Sequence, residues 1–356
     1  MARSGAVARR LARRRHTTLE TVVDEVWRRY GPHVIRLGAD VAIATRHDGL
    51  PPLSTGSVGL DLSVGGLPRG RVAEYAGVEG AGVETLAVVA LAACQRRGGL
   101  AVLVDTDGGA DPDALVAAGV DVSRLALVCP TTTAEAWGAL VALARGGAPD
   151  LLVLMSWPGL LALPDAGRGA GDGVGLGLLH RRLARLRIAL HGRPTAALLV
   201  NRPVRGLPRD VPPHAWRTVG EEAVAQAATL RVALAPEGLR YSPHGDIAAL
   251  RSRAMIVKHR GLPRTLHIPL SIAPDGALDG AAELVALGLM VSCLAETPLG
   301  LALGDVPLGR SPARAAQAIA RDADLATELE RRIRAAWPCG GGRADAEAAR
   351  MKVAGL

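Results

Sequence analysis

The residues with the clearest chemical potential lie in the stretch Glu74-Tyr75-Ala76-Gly77-Val78-Glu79-Gly80-Ala81-Gly82-Val83-Glu84-Thr85-Leu86. An apolar, β-prone run from Arg71 to Tyr75 enters it and a helix-forming run from Leu86 to Ala93 leaves it. The order is therefore strand, Gly-rich loop, helix. Gly77 and Gly82 hold the spacing of a phosphate-binding loop. In a working loop the residue after the second Gly is Lys, which reaches the β and γ phosphates. The next is Ser or Thr, whose hydroxyl ligates Mg²⁺. Here those positions are Val83 and Glu84, followed by Thr85.

Val83 cannot donate to a phosphate. Glu84 puts a carboxylate at a helix N-terminus, where free N–H groups and the helix dipole would otherwise attract an anion. One like-charge contact near 4 Å costs roughly 4 kcal/mol at an effective dielectric of about 20, and the Lys attraction of similar size is gone. Nucleotide affinity is expected to fall by orders of magnitude, so neither ATP nor Mg²⁺ is an expected cofactor. The plainer alternative, a strand-to-helix turn that never held phosphate, stays open on these residues alone.

The surrounding chain has 356 residues, 49% hydrophobic but only 2% aromatic, which predicts a large core of Ala, Val and Leu. Short apolar runs at Leu100–Val104, Leu125–Cys129, Leu151–Met155, Ala196–Val200, Ala228–Leu234 and Ala254–Lys258 alternate with helical patterns. Strands separated by helices predict an α/β fold with a mostly parallel sheet covered on both faces. Ligands of such sheets bind at the carboxyl ends of the strands, which singles out two long Gly/Pro-rich loops, residues 165–175 and 202–220. Before the core, Leu19, Val22, Val23, Val26 and Trp27 recur at helical spacing from Thr18 to Tyr30. After it, a helical pattern starts near Asp279 and a last helix is predicted from Pro312 through Trp337. The expected division is a basic arm and helix at 1–45, a core at 46–275, a small α+β C-terminal domain at 276–337 and a flexible tail at 338–356.

A net charge of +8 suggests a polyanionic partner, nucleic acid first, with ordinary solvated charge as the alternative. Seven basic residues among 3–16, uncompensated by acid, read as a mobile arm that either contacts phosphates or is a plain tail. No run of about 18 uncharged apolar residues occurs, and no apolar segment follows the arginines, so neither a membrane span nor a secretory signal is expected. The expected location is the cytoplasm. Cys94, Cys129, Cys293 and Cys339 are far apart and lack metal-ligand spacing, so neither a zinc site nor a disulfide is expected.

From about residue 18 to 337 the chain resembles the bacterial RecA recombinases. The marks, in order, are Arg36-Leu37-Gly38, Ser54-Thr55-Gly56-Ser57, Leu60-Asp61, Gly65-Gly66-Leu67-Pro68-Arg69-Gly70-Arg71 and the Gly-rich loop. They continue with Val104-Asp105, Asp111-Pro112, Gly119-Val120-Asp121, Gly171-Asp172, Val174-Gly175-Leu176, Asn201, Val257-Lys258, Glu283-Leu284-Val285 and Leu287-Gly288. No single mark is specific, but their shared order and spacing are. The resemblance implies a P-loop NTPase fold of RecA type. It also implies a series of lost active-site groups: the P-loop Lys and Thr fall at Val83 and Glu84, and the acidic residue ending the Mg²⁺-organising strand falls at Met155. The γ-phosphate-sensing Gln falls at Arg202, the adenine-stacking Tyr at Ala114, and the water-activating Glu at Asp107, a shorter carboxylate. Phosphoryl transfer needs metal, Lys and positioned water together, so the implied protein is a degenerate, ATPase-deficient paralogue with Asp107 vestigial.

The resemblance further maps residues 165–175 and 202–220 onto the family's two DNA-contacting loops. Arg202, Arg205, Arg209 and Arg217, with His214 and Trp216, would supply phosphate contacts and one stacking ring, and Arg181, Arg182 and Arg185 would extend the groove. Lys258 and Arg260 match positions that reach a neighbouring subunit across a filament interface. The family's acidic tail is missing, Gln226 stands where an intersubunit Phe is usual, and Pro203, Pro208, Pro212 and Pro213 stiffen the second loop. Oligomeric state is left open. RecA-like proteins without ATPase activity include the ImuA type, an SOS-inducible partner of the ImuB polymerase-like protein in translesion synthesis. The expected partners are RecA, an ImuB-like polymerase partner and single-stranded DNA; the competing expectation is a divergent ATP-dependent recombinase.

Overall fold

The computed structural model describes residues 21–26, 28–29, 50–164, 176–204, 211–241, 244–259, 267–298 and 300–337. The chain divides into two compact units, residues 1–50 and 51–356. In the first, residues 21–26 and 28–29 are helical, inside the span expected for the amphipathic helix.

The second unit begins with α1 (Val58–Val64), β1 (Val72–Gly77), α2 (Val83–Arg96), β2 (Ala101–Val104), α3 (Pro112–Ala117) and β3 (Leu125–Val128). It continues through α4 (Thr133–Gly146), β4 (Leu151–Leu154), α5 (Trp157–Ala162), α6 (Leu176–Leu190), β5 (Ala196–Asn201) and α7 (Glu221–Ala227). Then come β6 (Ala228–Tyr241), β7 (Ile247–Lys258), β8 (His267–Ile272), α8 (Gly280–Met290), β9 (Ala295–Thr297), β10 (Gly300–Leu303), β11 (Val306–Gly309), α9 (Pro312–Arg321) and α10 (Ala323–Ala336). Eight strands form one sheet in the order β3-β2-β4-β5-β1-β6-β7-β8; β9, β10 and β11 form a second, antiparallel one. Pairings from β3 to β6 are parallel, and β6-β7-β8 closes the large sheet antiparallel.

The strands β2, β4 and β5 are almost wholly apolar and buried, and successive residues feed opposite layers. Leu151 and Val153 join the layer containing α2, whereas Leu152 and Leu154 join the layer of α4, α5 and α6. The layer on the α2 side continues into α8, α9 and α10, through Leu284, Leu287, Ile319, Leu329 and Ile333. Two expectations need correction. The predicted helix from Pro312 through Trp337 is two helices, because the Asp322 carboxylate accepts from the N–H groups of Asp324 and Leu325 and starts a new one. The strands expected at 228–234 and 254–258 run much further, out to Tyr241 and back from Ile247, as a hairpin whose outer part mixes exposed residues with the buried Ala249 and Ser252.

Buried polar groups do the joining that apolar contact leaves unspecified. Arg231 on β6 forms an ion pair with Glu74 of β1 and a bidentate pair, 2.7 and 2.8 Å, with Glu221 at the start of α7. The Thr218 hydroxyl donates to Glu74 at 3.0 Å and its N–H to Glu221 at 2.9 Å, and Asn201 at the end of β5 donates to Glu74 at 2.7 Å. Burial pushes the Glu221 carboxyl up, but the Arg231 and Thr218 hydrogen bonds outweigh it and hold the group at about 2. A second buried carboxylate, Glu283 on α8, accepts from Ser57 Oγ at 2.5 Å and from the N–H groups of Gly59 and Val58 at 3.0 and 3.3 Å. The Ser-Thr-Gly-Ser mark thus ties α8 to the start of α1.

Two measurements check these joints. Arg231→Met should lower stability by about 3–5 kcal/mol in denaturant titration, because it leaves buried carboxylates unpaired; a loss below about 1 kcal/mol would contradict the assignment. Burial raises the Glu283 carboxyl from 4.5 to about 7. The folded chain therefore holds more protons than the unfolded chain between those values, and stability should fall as pH rises through that window. Glu283→Gln should remove a pH dependence of about 3 kcal/mol, read as the difference between the two chains' stabilities at pH 5 and pH 8.

Candidate functional site

The Gly-rich loop leaves the end of β1, the central strand beside β5 and β6, and delivers the chain into α2. Its two spacing glycines are fixed by contact. Gly82, the N-cap of α2, has φ of 79°, and a Cβ there would lie 1.9 Å from Ile272 Cδ1. A Cβ at Gly77 would lie 2.5 Å from Val83 Cγ2 and 2.7 Å from the Leu234 carbonyl oxygen. Only Gly satisfies both positions without displacing a neighbour.

Val83 is 1% exposed and belongs to the core on the α2 side, so its side chain packs beneath the loop. Glu84, in the first turn of α2, is half-exposed and faces Arg202 across 3.5 Å. Thr85 is half-buried. Met155 is buried after β4. A magnesium triphosphate does not fit these donors: an apolar side chain is packed where an ammonium is needed, and a carboxylate stands where a hydroxyl is needed. Among the described residues no group of three or more His, Cys, Asp or Glu side chains could hold a metal ion.

Asp107 is exposed on the loop after β2. That loop is organised by Asp105, whose carboxylate accepts from the N–H groups of Asp107, Gly108, Gly109 and Ala110 at 2.9 to 3.3 Å. Thr106 donates to the Ser156 carbonyl at 2.8 Å, joining this loop to the end of β4. Ala114 is exposed on α3 and offers no ring to a base.

Arg202 directly follows the buried network. Asn201 accepts from the Arg202 N–H at 2.8 Å and donates to the Val219 carbonyl at 3.0 Å, which also accepts from Trp157 Nε1 at 3.0 Å. Val219 N–H donates to the Arg202 carbonyl and Val204 N–H to the Arg217 carbonyl, with Pro203 and Thr218 bridged between them. The two ends of the second loop are therefore stitched together like a short hairpin. Residues 205–210, with Arg205 and Arg209, lie outside the described residues. Arg217 is exposed, while Trp216 is half-buried, donates to the Val211 carbonyl at 2.9 Å and lines a cleft with Pro213, Val232 and Val257.

On α6, Arg181 and Arg185 are exposed one turn apart, whereas the Arg182 guanidinium lies 5.9 Å over the Trp137 ring and is half-buried. Arg182 thus has a packing partner that the sequence spacing did not reveal. Lys258, at the end of β7, donates to the Ala225 carbonyl near the C-terminal end of α7 at 2.6 Å, a favourable place for a cation. Arg260 lies outside the described residues. The Glu84–Arg202 pair, the Asp105 loop clamp and the Arg231 network were all missed by sequence reasoning. Only the first had a signal, opposite charges at two altered positions of one expected site.

No described helix is long and apolar enough to cross a membrane. Residues 17–205 match the family model for the RecA N-terminal domain. Protein RecA of Thermus thermophilus is 29% identical over 286 residues, which cover 79% of this chain and 84% of that protein. Protein RecA of Acidiphilium cryptum is 27% identical over 327 residues, 90% of this chain and 94% of the relative, and Protein RecA of Thermus aquaticus is 28% identical over 322 residues, 89% and 93%. With more than half its length on the family model, a mostly parallel sheet and a Gly-rich loop at the end of the central β1 strand, this chain belongs to the RecA family.

Proposed function

We propose that this chain is a non-catalytic RecA-like accessory protein of DNA repair and SOS translesion mutagenesis. It acts in the cytoplasm by binding RecA, an ImuB-like polymerase partner or single-stranded DNA, in the manner of the ImuA type, and it is a pseudo-ATPase. The observation that supports this reading is the loop itself: Val83 is committed to the core and Glu84 is paired to Arg202. Neither is then available for a triphosphate, and a shared ion pair between two altered positions argues for a settled alternative use of the fold.

Binding would use exposed charge. Arg181, Arg185, Arg202 and Arg217 supply cations on α6 and at the stitched ends of the second loop. Such contacts give sequence-independent, salt-sensitive affinity for phosphates. Lys258, exposed at the end of β7, belongs to the proposed protein-facing side, to which Arg260 is assigned from the sequence alone. A second reading, a divergent ATP-dependent recombinase, draws on one observation: Asp107 stays exposed on a loop held in place by Asp105.

Calorimetry of the full chain with ATP, Mg²⁺ and single-stranded DNA separates the two. No heat of nucleotide binding and no DNA-stimulated hydrolysis is the expected result. Tight ATP binding, with turnover that disappears in Asp107→Ala, would establish the recombinase instead. Co-purification with RecA or a polymerase partner from damaged cells is expected on the first reading, and loss of both complexes would count against it.

A further inference from the structure

The two half-exposed charges at 3.5 Å are held by backbones that have little freedom. Glu84 stands in the first turn of α2, whose neighbours Val83, Leu86 and Ala87 are buried. Arg202 has its N–H bonded to Asn201 and its carbonyl bonded to Val219. The contact is therefore set by the fold on both sides. A half-exposed pair of this kind contributes little net stability, so a competing anion can displace it.

The stitched ends of the second loop say which anion. Thr218 points inward to Glu74 and Glu221, and residues directly opposite each other across a bridge share a face, so Pro203 lies on that inner side. Arg202 and Arg217, one step away on either strand, face the other way together and stand diagonally across the pair. At the diagonal spacing of about 7–8 Å they would present two cations to a chain of phosphates. One of the two is already neutralised by Glu84; Arg217 has no ion-pair partner among the described residues.

We propose that Glu84 is an internal latch on the single-strand-binding face. Its carboxylate occupies Arg202 in the free protein, and a phosphate of single-stranded DNA must displace it to engage the Arg202–Arg217 pair. This rests on the single-strand-binding part of the reading above. Access to this face is then set by competition within the chain, with no nucleotide involved.

The test measures binding of a labelled oligo-dT strand, without nucleotide, by the full-length wild type, Glu84→Gln, Arg202→Gln and the double variant. Both positions are half-exposed, so thermal melting should confirm that all four fold alike. Glu84→Gln should bind about two- to fivefold tighter than wild type. Arg202→Gln should bind more weakly, with its salt slope lower by about 1. In the Arg202→Gln background the Glu84→Gln gain should vanish. Equal affinity of wild type and Glu84→Gln would overturn the latch while leaving single-strand binding intact. A gain that persists without Arg202 would reduce Glu84 to a general repulsive charge and also overturn it. If none of the four binds the strand, the single-strand reading fails first and the latch with it.

Discussion

Arg231 carries a full charge where water hardly reaches, and the arrangement around it decides how the functional end of the molecule is built. Its guanidinium joins a carboxylate from β1 to one from the start of α7, and through Thr218 and Asn201 it reaches the ends of β5 and of the second loop. Burying such a pair yields little net stability compared with an apolar packing, but removing one partner is severe. The network therefore acts by specifying position. It fixes where residue 201 leaves the sheet and where residue 218 returns, and hence where Arg202 and Arg217 stand.

The Gly-rich loop meets that fixed point from the other side. Its glycines are held by Ile272, Leu234 and Val83, so the loop keeps its frame although the groups that would bind phosphate are gone. The frame is kept by packing, and the packing does not depend on a ligand. Val83 adds to the core on the α2 side, and Glu84 gains both the dipole of α2 and the Arg202 guanidinium. The Gly-rich loop and the root of the second loop are thereby joined by a contact within the chain.

Much of this was legible in the residues. The strand–loop–helix order around Gly77 and Gly82 and the buried parallel strands follow from local pattern and from the order of the RecA marks. Long-range polar pairing was not. Ser57 and Glu283 are 226 residues apart, and each alone looks like an ordinary cap residue or an ordinary helix acid. The outer half of the β6–β7 hairpin was hard to read because exposed Leu239, Tyr241 and Ile247 are interleaved irregularly with buried Ala249 and Ser252, so the alternation that announces a strand is absent. Arg182 reads as one of three surface cations until the fold brings Trp137 beneath it. Periodicity reports which side of an element is buried, and it carries no information about which distant polar group will be met there.

The central claim is that the position of the second loop's root is set inside the chain and not by a nucleotide. Hydrogen exchange at the backbone amides of Arg202, Val204 and Val219, measured with and without saturating ATP and Mg²⁺, tests it most directly. The expected result is the same strong protection in both conditions, since these amides are already bonded to Asn201, Arg217 and Arg202. Protection that appears, or rises many-fold, only when nucleotide is present would contradict it.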